Sequence, residues 1–457
     1  MRKWVWSVVL VSAVVARVSY GDEPVTANVA APPGAAANDN ALAVELADLK
    51  TQVAALREQQ ARLQAKEAAD DARDAAAAAE AKRAVQRAVS FSAAPGRGLT
   101  LKVGDIFSLS LRPRAQVRDT ISIQDGKPTT NEINVKAVRL WIQGNVLSKD
   151  LQYGIQLAFG GNEFDKDSSS PIFDAYVEYV RLRDLNIKVG QFFVPFDRAR
   201  TIREFALQLV DRAQIVSELS LDRDVGLAIS SQDFLGTRGI LGYHLGIFGG
   251  EGKNRFGGAG IGFLYTARIV VRPFGAFDDD LEGDLQRLRK PRLAVGIAGA
   301  YNQSTNRQKS TTGNTLTLGT CDYGHAEADL VFKYAGVSLL AEVLYRQARQ
   351  NGPLTAMVNG AAVTEWSRSA IGYLVQLGVM VHDKVELAAR YDDLRALGNT
   401  DPTLIALAAT TGKELGGGLN VYLNGHAFKI QTDYQYLFGD SIHTGRHAVR
   451  LQLDASF

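Results

Sequence analysis

Val189-Gly190-Gln191-Phe192-Phe193-Val194-Pro195-Phe196 ends one kind of sequence and begins another. Upstream, Leu185, Ile187 and Val189 alternate with Asn186, Lys188 and Gly190, the period of a strand with one apolar and one wet face. Pro195 cannot donate a ladder hydrogen bond, so the strand stops there. Roughly thirty residues then pass without alternation, a length uncommon for a loop between strands and usually functional. Val225, Leu227 and Ile229 resume the period.

The same period runs outward in both directions. In the first strand Phe107, Leu109, Leu111, Ala115 and Val117 point one way, and Ser108, Ser110, Arg112, Arg114, Gln116 and Arg118 the other. Similar segments fall near 133–147, 150–160, 171–182, 185–194, 224–232, 239–248 and 260–272. Others fall near 291–302, 325–334, 337–347, 369–381, 384–394, 413–423, 426–437 and 446–457. That makes about sixteen, each near the ~9–11 residues a tilted strand needs to cross a bilayer.

The connections alternate in length as a membrane barrel requires. Tight turns at 147–150, 183–184, 335–336, 382–383 and 424–425 interleave with long loops at 119–132, 160–171, 195–223, 249–260, 303–324, 348–368, 395–412 and 438–445. One connection on the short side, 274–290, is long; its Asp278, Asp279 and Asp280 read as a solvated turn. The fold class predicted is an all-β transmembrane antiparallel barrel of about sixteen strands over residues 100–457. A short helical coiled coil precedes it.

Composition sets bounds. The chain has 457 residues, is 46% hydrophobic and 22% charged, and carries a net charge of +2. That excludes a helical membrane protein and gives no electrostatic case for nucleic acid as a partner. Cys321 stands alone, so neither a disulfide within the chain nor a cysteine metal site can be built.

Arg2 and Lys3, an apolar run from Trp4 to Val15, and small residues at Ser19 and Gly21 read as a secretory signal peptide over 1–21. Residues 22–40 read as a flexible linker. Over 41–90, Leu42, Leu49, Leu56 and Leu63 recur every seven residues, with Leu46 and Val53 four positions after the first two. This predicts a helix with a coiled-coil seam that self-associates; the alternative is a solvated single helix or one lying on another protein.

No GxSxG, HExxH or P-loop appears, and His244 lacks a serine positioned by any motif, so the reading is a non-enzyme without a cofactor. The wet faces place Arg112, Arg114, Arg118, Arg139 and Lys188 toward a lumen, where carboxylates such as Asp174, Glu327 and Asp454 nearly balance the cations. Arg198, Arg200 and Arg203 cluster just past Pro195. Guanidinium forks suit phosphate oxyanions, so these eight are the candidate pore-lining and anion-binding residues.

VGQFFVPF, the long insertion and the restart Arg223-Asp224-Val225-Gly226-Leu227 resemble the phosphate-selective porin O/P family of bacterial outer-membrane proteins. Asp174-Ala175-Tyr176-Val177, Ala267 to Phe274, Glu327-Ala328-Asp329-Leu330, Arg390-Tyr391-Asp392 and Gly418 to Tyr422 follow in family order. The resemblance implies that 195–223 folds back into the barrel and narrows the pore. It implies a trimeric diffusion porin for small hydrophilic solutes, with modest preference for anions such as phosphate. It places the barrel among lipid and lipopolysaccharide in the outer membrane of a Gram-negative bacterium, with the helix in the periplasm. The closing strand, ending on Phe457, resembles the signal read by the barrel-assembly machinery. The alternative reading is a structural anchor reaching peptidoglycan or a partner through the helix.

Overall fold

The computed structural model describes residues 36–86, 89–160, 163–164, 170–255, 262–350 and 352–457; the expected signal peptide and most of the linker lie outside the described residues. The chain divides into two compact units, meeting between Ala81 and Lys82. Helix α1 (Ala36–Gln86) accounts for the described part of the first and runs a few residues into the second. Its Leu46, Leu49, Val53, Leu56 and Leu63 are all exposed in the single chain.

The second unit opens with a hairpin, β1 (Val89–Ala94) and β2 (Gly98–Val103). Eleven wall strands follow: β3 (Phe107–Gln124), β4 (Thr130–Val146), β5 (Leu151–Ala158), β6 (Ile172–Leu182), β7 (Leu185–Phe193), β8 (Arg223–Ser231), β9 (Leu241–Phe248), β10 (Leu264–Val271), β11 (Arg292–Thr305), β12 (Cys321–Tyr334) and β13 (Val337–Ala348). A small separate hairpin, β14 (Pro353–Val358) and β15 (Ala361–Trp366), sits in the next loop. The wall resumes with β16 (Ala370–His382), β17 (Val385–Ala396), β18 (Lys413–Asn424), β19 (Phe428–Phe438) and β20 (Arg446–Ser456). Each wall strand pairs antiparallel with its neighbours, and β20 returns to β3, from Arg446 opposite Gln124 to Ser456 opposite Arg114. The result is a closed barrel of sixteen strands.

Polarity is inverted relative to a soluble core. On β3, Arg114, Gln116 and Arg118 are buried while Val117 is exposed; on β20, Gln452 and Asp454 are buried while Val449, Leu451 and Leu453 are exposed. Outward Val and Leu in such numbers are stable only against hydrocarbon.

Three expectations are corrected. Loop 119–132 is mostly strand, leaving only 125–129 between β3 and β4. The predicted helical end near residue 90 is the β1 strand, and β2 pairs with Phe107–Leu111 of β3, just beyond where β20 stops. Gly98 makes that approach possible: its φ is +74°, and a Cβ there would meet the Leu111 carbonyl oxygen at 2.0 Å. Finally, 274–290 is not a solvated turn throughout. Asp279 is buried against Arg272 (3.0 Å) and Arg198 (2.8 Å), although Asp280 remains exposed.

The apolar core lies inside the barrel. The insertion after Pro195 folds inward through α2 (Arg198–Thr201), a short turn at Glu204–Ala206 and α3 (Gln214–Leu219). Ile215, Val216, Leu219 and Leu221 pack against Val331, Leu340, Leu344 and Leu374, inward positions of β12, β13 and β16 where the wall is apolar. Each such side chain contributes about 1.5–3 kcal/mol, which offsets much of the ~1–2 kcal/mol per residue that ordering the backbone costs. This patch decides the side of the barrel on which the insertion rests.

Candidate functional site

Polar straps complete the seating of the inward loop. Asp197 caps α2 by accepting from the Arg200 amide at 2.7 Å. Glu342 on β13 accepts from the amides of Arg198 and Ala199 at 2.9 and 3.1 Å. Asp211 binds Arg118 (2.7 Å) and Arg450 (3.0 Å), and Glu218 binds Arg346 (2.7 Å) and Arg368 (2.9 Å). Lys429 donates to the carbonyls of Phe205 and Leu207. Apart from Arg368, in the loop before β16, these partners sit on β3 or on wall strands from β13 onward, and the space left open lies along β3 to β7.

That space is a cavity of about 670 Å³. It reaches from Glu163 and Lys253, on long loops, to Asn424 and Ser456 at the short-turn end. Gly190 shapes its wall: with φ at +133°, it lets β6 approach so closely that a Cβ would meet the Ala175 carbonyl oxygen at 2.2 Å. A second cavity of about 700 Å³ opens among the long loops and shares Lys136, Arg200, Glu204 and Arg212 with the first. These four stand where the two spaces adjoin.

The lining of the first cavity is cationic: among the described residues, eleven Arg and Lys side chains face five carboxylates. Most of the sequence candidates there are neutralised in pairs. Arg114 binds Asp454 (2.8 Å), Arg139 binds Glu163 and Glu204 (2.9 Å to the latter), Lys188 binds Glu178 (3.3 Å) and Arg200 binds Asp222 (2.6 Å). Burial alone would raise the Glu204 carboxyl, but Arg139, Arg212, Arg114 and Arg200 hold it well below the usual carboxylate range. Burial, with Arg200 nearby, brings Arg212 down to about 10, so both groups stay charged at neutral pH.

Arg112 and Arg203 differ. Neither guanidinium has an ion pair or a hydrogen bond to any described residue, and Arg112 Nε is buried without a protein partner. The two lie within electrostatic reach of each other, and Arg203 stacks over the Trp141 ring at 4.9 Å.

Two of the eight candidates sit elsewhere. Arg118 faces the second cavity and is held by Asp211 and Gln452. Arg198 is buried and lines neither cavity: it is locked between Asp329 (2.9 Å) and Asp279 (2.8 Å), so the expected arginine cluster is split.

Sequence reasoning missed Lys136 and the aromatic lining. Gln116 pairs with Ala137 and Val117 with Val135, which leaves Lys136 as the extra residue of a bulge. The signal was present: Val135 and Val138 both face outward three residues apart, which strict alternation forbids. Trp141, Phe173, Tyr176, Phe192, Phe193 and Phe205 also line the first cavity, several beneath a cation.

Comparison with known proteins adds the family. Among solved structures, the outer membrane channel DcaP of Acinetobacter baumannii is similar at 14% identity and a TM-score of 0.48, over 77% of this chain and 98% of its own. The anion-selective porin from Comamonas acidovorans is 11% identical with a TM-score of 0.48, over 77% and 100%. OmpT of Vibrio cholerae, in its trimer form, is 12% identical with a TM-score of 0.41, over 77% and 100%. The search of curated proteins found no match. The phosphate-selective porin O and P family matches residues 107–454, nearly the whole barrel. With the closed wall and inward loop already in view, the chain belongs to the phosphate-selective porin O and P family and forms an outer-membrane porin channel.

Proposed function

We propose that the channel passes small hydrophilic solutes by diffusion and prefers anions, phosphate among them, modestly. The observation that carries this reading is the unpaired pair Arg112 and Arg203 beside a passage whose other candidates are matched by carboxylates. In a narrow, partly dry space, a few free guanidiniums outweigh many paired ones. The test is the zero-current potential of the purified protein in a planar bilayer under a KCl gradient. A potential of anion sign is expected. A cation sign refutes the preference, and no conductance at all leaves the barrel as an anchor.

Assembly follows from other features. The exposed heptad seam of α1 supports self-association, as a trimer, with the helix in the periplasm and peptidoglycan within its reach. Aspartate at Leu49 and Leu56 is expected to abolish oligomerisation of segment 36–86 in sedimentation equilibrium. A parent segment that is already monomeric rules out the seam. The outward apolar band supports contact with lipid and lipopolysaccharide.

Phe457 is exposed, its amide donating to the Pro113 carbonyl at 3.1 Å, which leaves its ring available to the barrel-assembly machinery. Deleting Phe457 is expected to lower the yield of heat-modifiable folded barrel in cells. An unchanged yield removes that role.

A further inference from the structure

We propose that Arg112, Arg203 and Trp141 form a subsite for organic anions carrying a flat ring, of the aromatic carboxylate class, in preference to bare inorganic oxyanions. This rests on the anion reading above and names its solute class.

The argument begins with what the cations stand on. Lys188 lies 3.7 Å from the Tyr176 ring centre, Arg223 lies 3.7 Å from that of Phe193, and Arg139 lies 4.9 Å from that of Phe173. In those places the ring face is used and the cation already has its carboxylate: Glu178, Asp174 and Glu163 respectively. At Arg203 the arrangement is incomplete. Trp141 backs the guanidinium at 4.9 Å, but Arg203 has no ion pair with any described residue, and it is exposed. Trp141 itself is fixed: it is buried, its ring packs at 6.4 Å from Tyr176, and its Nε1 donates to Gln143. An exposed guanidinium over a fixed indole offers a solute two things, a planar face and a fork of N–H donors.

A solute matching both has a planar apolar body to lie over Arg203 and a carboxylate to meet the unpartnered donors of Arg112 and Arg203. Acetate satisfies the fork and leaves the face bare. Inorganic phosphate also satisfies the fork, but keeps its hydration shell against apolar walls, where desolvated polar groups gain nothing. The ring-bearing anion alone uses the whole surface.

The probes are benzoate, acetate and inorganic phosphate, added to the full-length protein in a bilayer while single-channel KCl current is recorded. Benzoate should block at a half-saturating concentration about tenfold below acetate, the ratio that ~1.4 kcal/mol of ring contact gives, and below phosphate as well. The variant R112Q/R203Q should lose the benzoate preference while still conducting. Equal block by all three anions overturns the subsite and leaves the anion reading standing. Benzoate preference that survives in R112Q/R203Q also overturns it. If none of the anions blocks and the zero-current potential shows no anion preference, both readings fall together.

Discussion

The double variant R112E/R203E is expected to move the zero-current potential in a KCl gradient strongly toward the cation sign. The two natural guanidiniums are unpaired, so each replacement takes away a free positive charge and adds a free negative one, with no carboxylate left behind to compensate. Around them many cations are paired, and the change of four charges removes most of the lining's excess of eleven cations over five carboxylates. The shift should be full near 0.1 M salt, where the screening length is ~10 Å, and should fade near 1 M, where it is ~3 Å. Lys188→Gln is the control. It frees Glu178, its partner at 3.3 Å on the neighbouring strand, and changes the total by one charge where the double variant changes it by four, so the potential should shift much less. An unchanged potential in R112E/R203E would show that the current does not run along β3 to β7.

Arg198→Met should loosen the inward loop. Arg198 is 4% exposed and is bound by Asp329 and Asp279, while Arg268 binds Asp329 and Glu327 beside it. Removing Arg198 leaves Asp279 with Arg272 alone and Asp329 with Arg268 alone, at a cost below the ~3–5 kcal/mol of a fully stranded buried charge. The damage is local to the α2 end, because α3 keeps its apolar seat and Glu218 its arginines. Single-channel conductance should therefore rise and become noisier, and the folded band should convert at a lower temperature in heat-modification gels. A quiet channel of natural conductance would mean that Arg198 does not hold the loop.

Strand positions were legible because the barrel turns lipid and lumen into a period of two, and Pro195 marks where pairing fails. The side on which the loop rests was not legible. It depends on Val331, Leu340, Leu344 and Leu374, which taken singly look like ordinary strand residues. The role of Arg198 was hidden for a similar reason: Asp279 and Asp329 lie far along the chain and meet it only once the barrel closes. Lys136 was missed because a one-residue bulge shifts the phase of a strand, and it was read as if the phase were constant. Residues 89–103 were misjudged because six-residue strands between a helix and a barrel carry too few alternations to stand out.

The place of β2 along β3 bears on the width of the barrel. Diameter is set by strand number and by how far the sheet is sheared when its two edges meet. A sixteen-strand sheet with one continuous apolar face could close in registers two residues apart without turning any side chain inside out. Here β2 already occupies Phe107 to Leu111, so β20 meets a stop when it slides toward the short turns, with Ser456 against Arg114. The hairpin before the barrel thus acts as a gauge block, excluding narrower or skewed closures before the last strand locks.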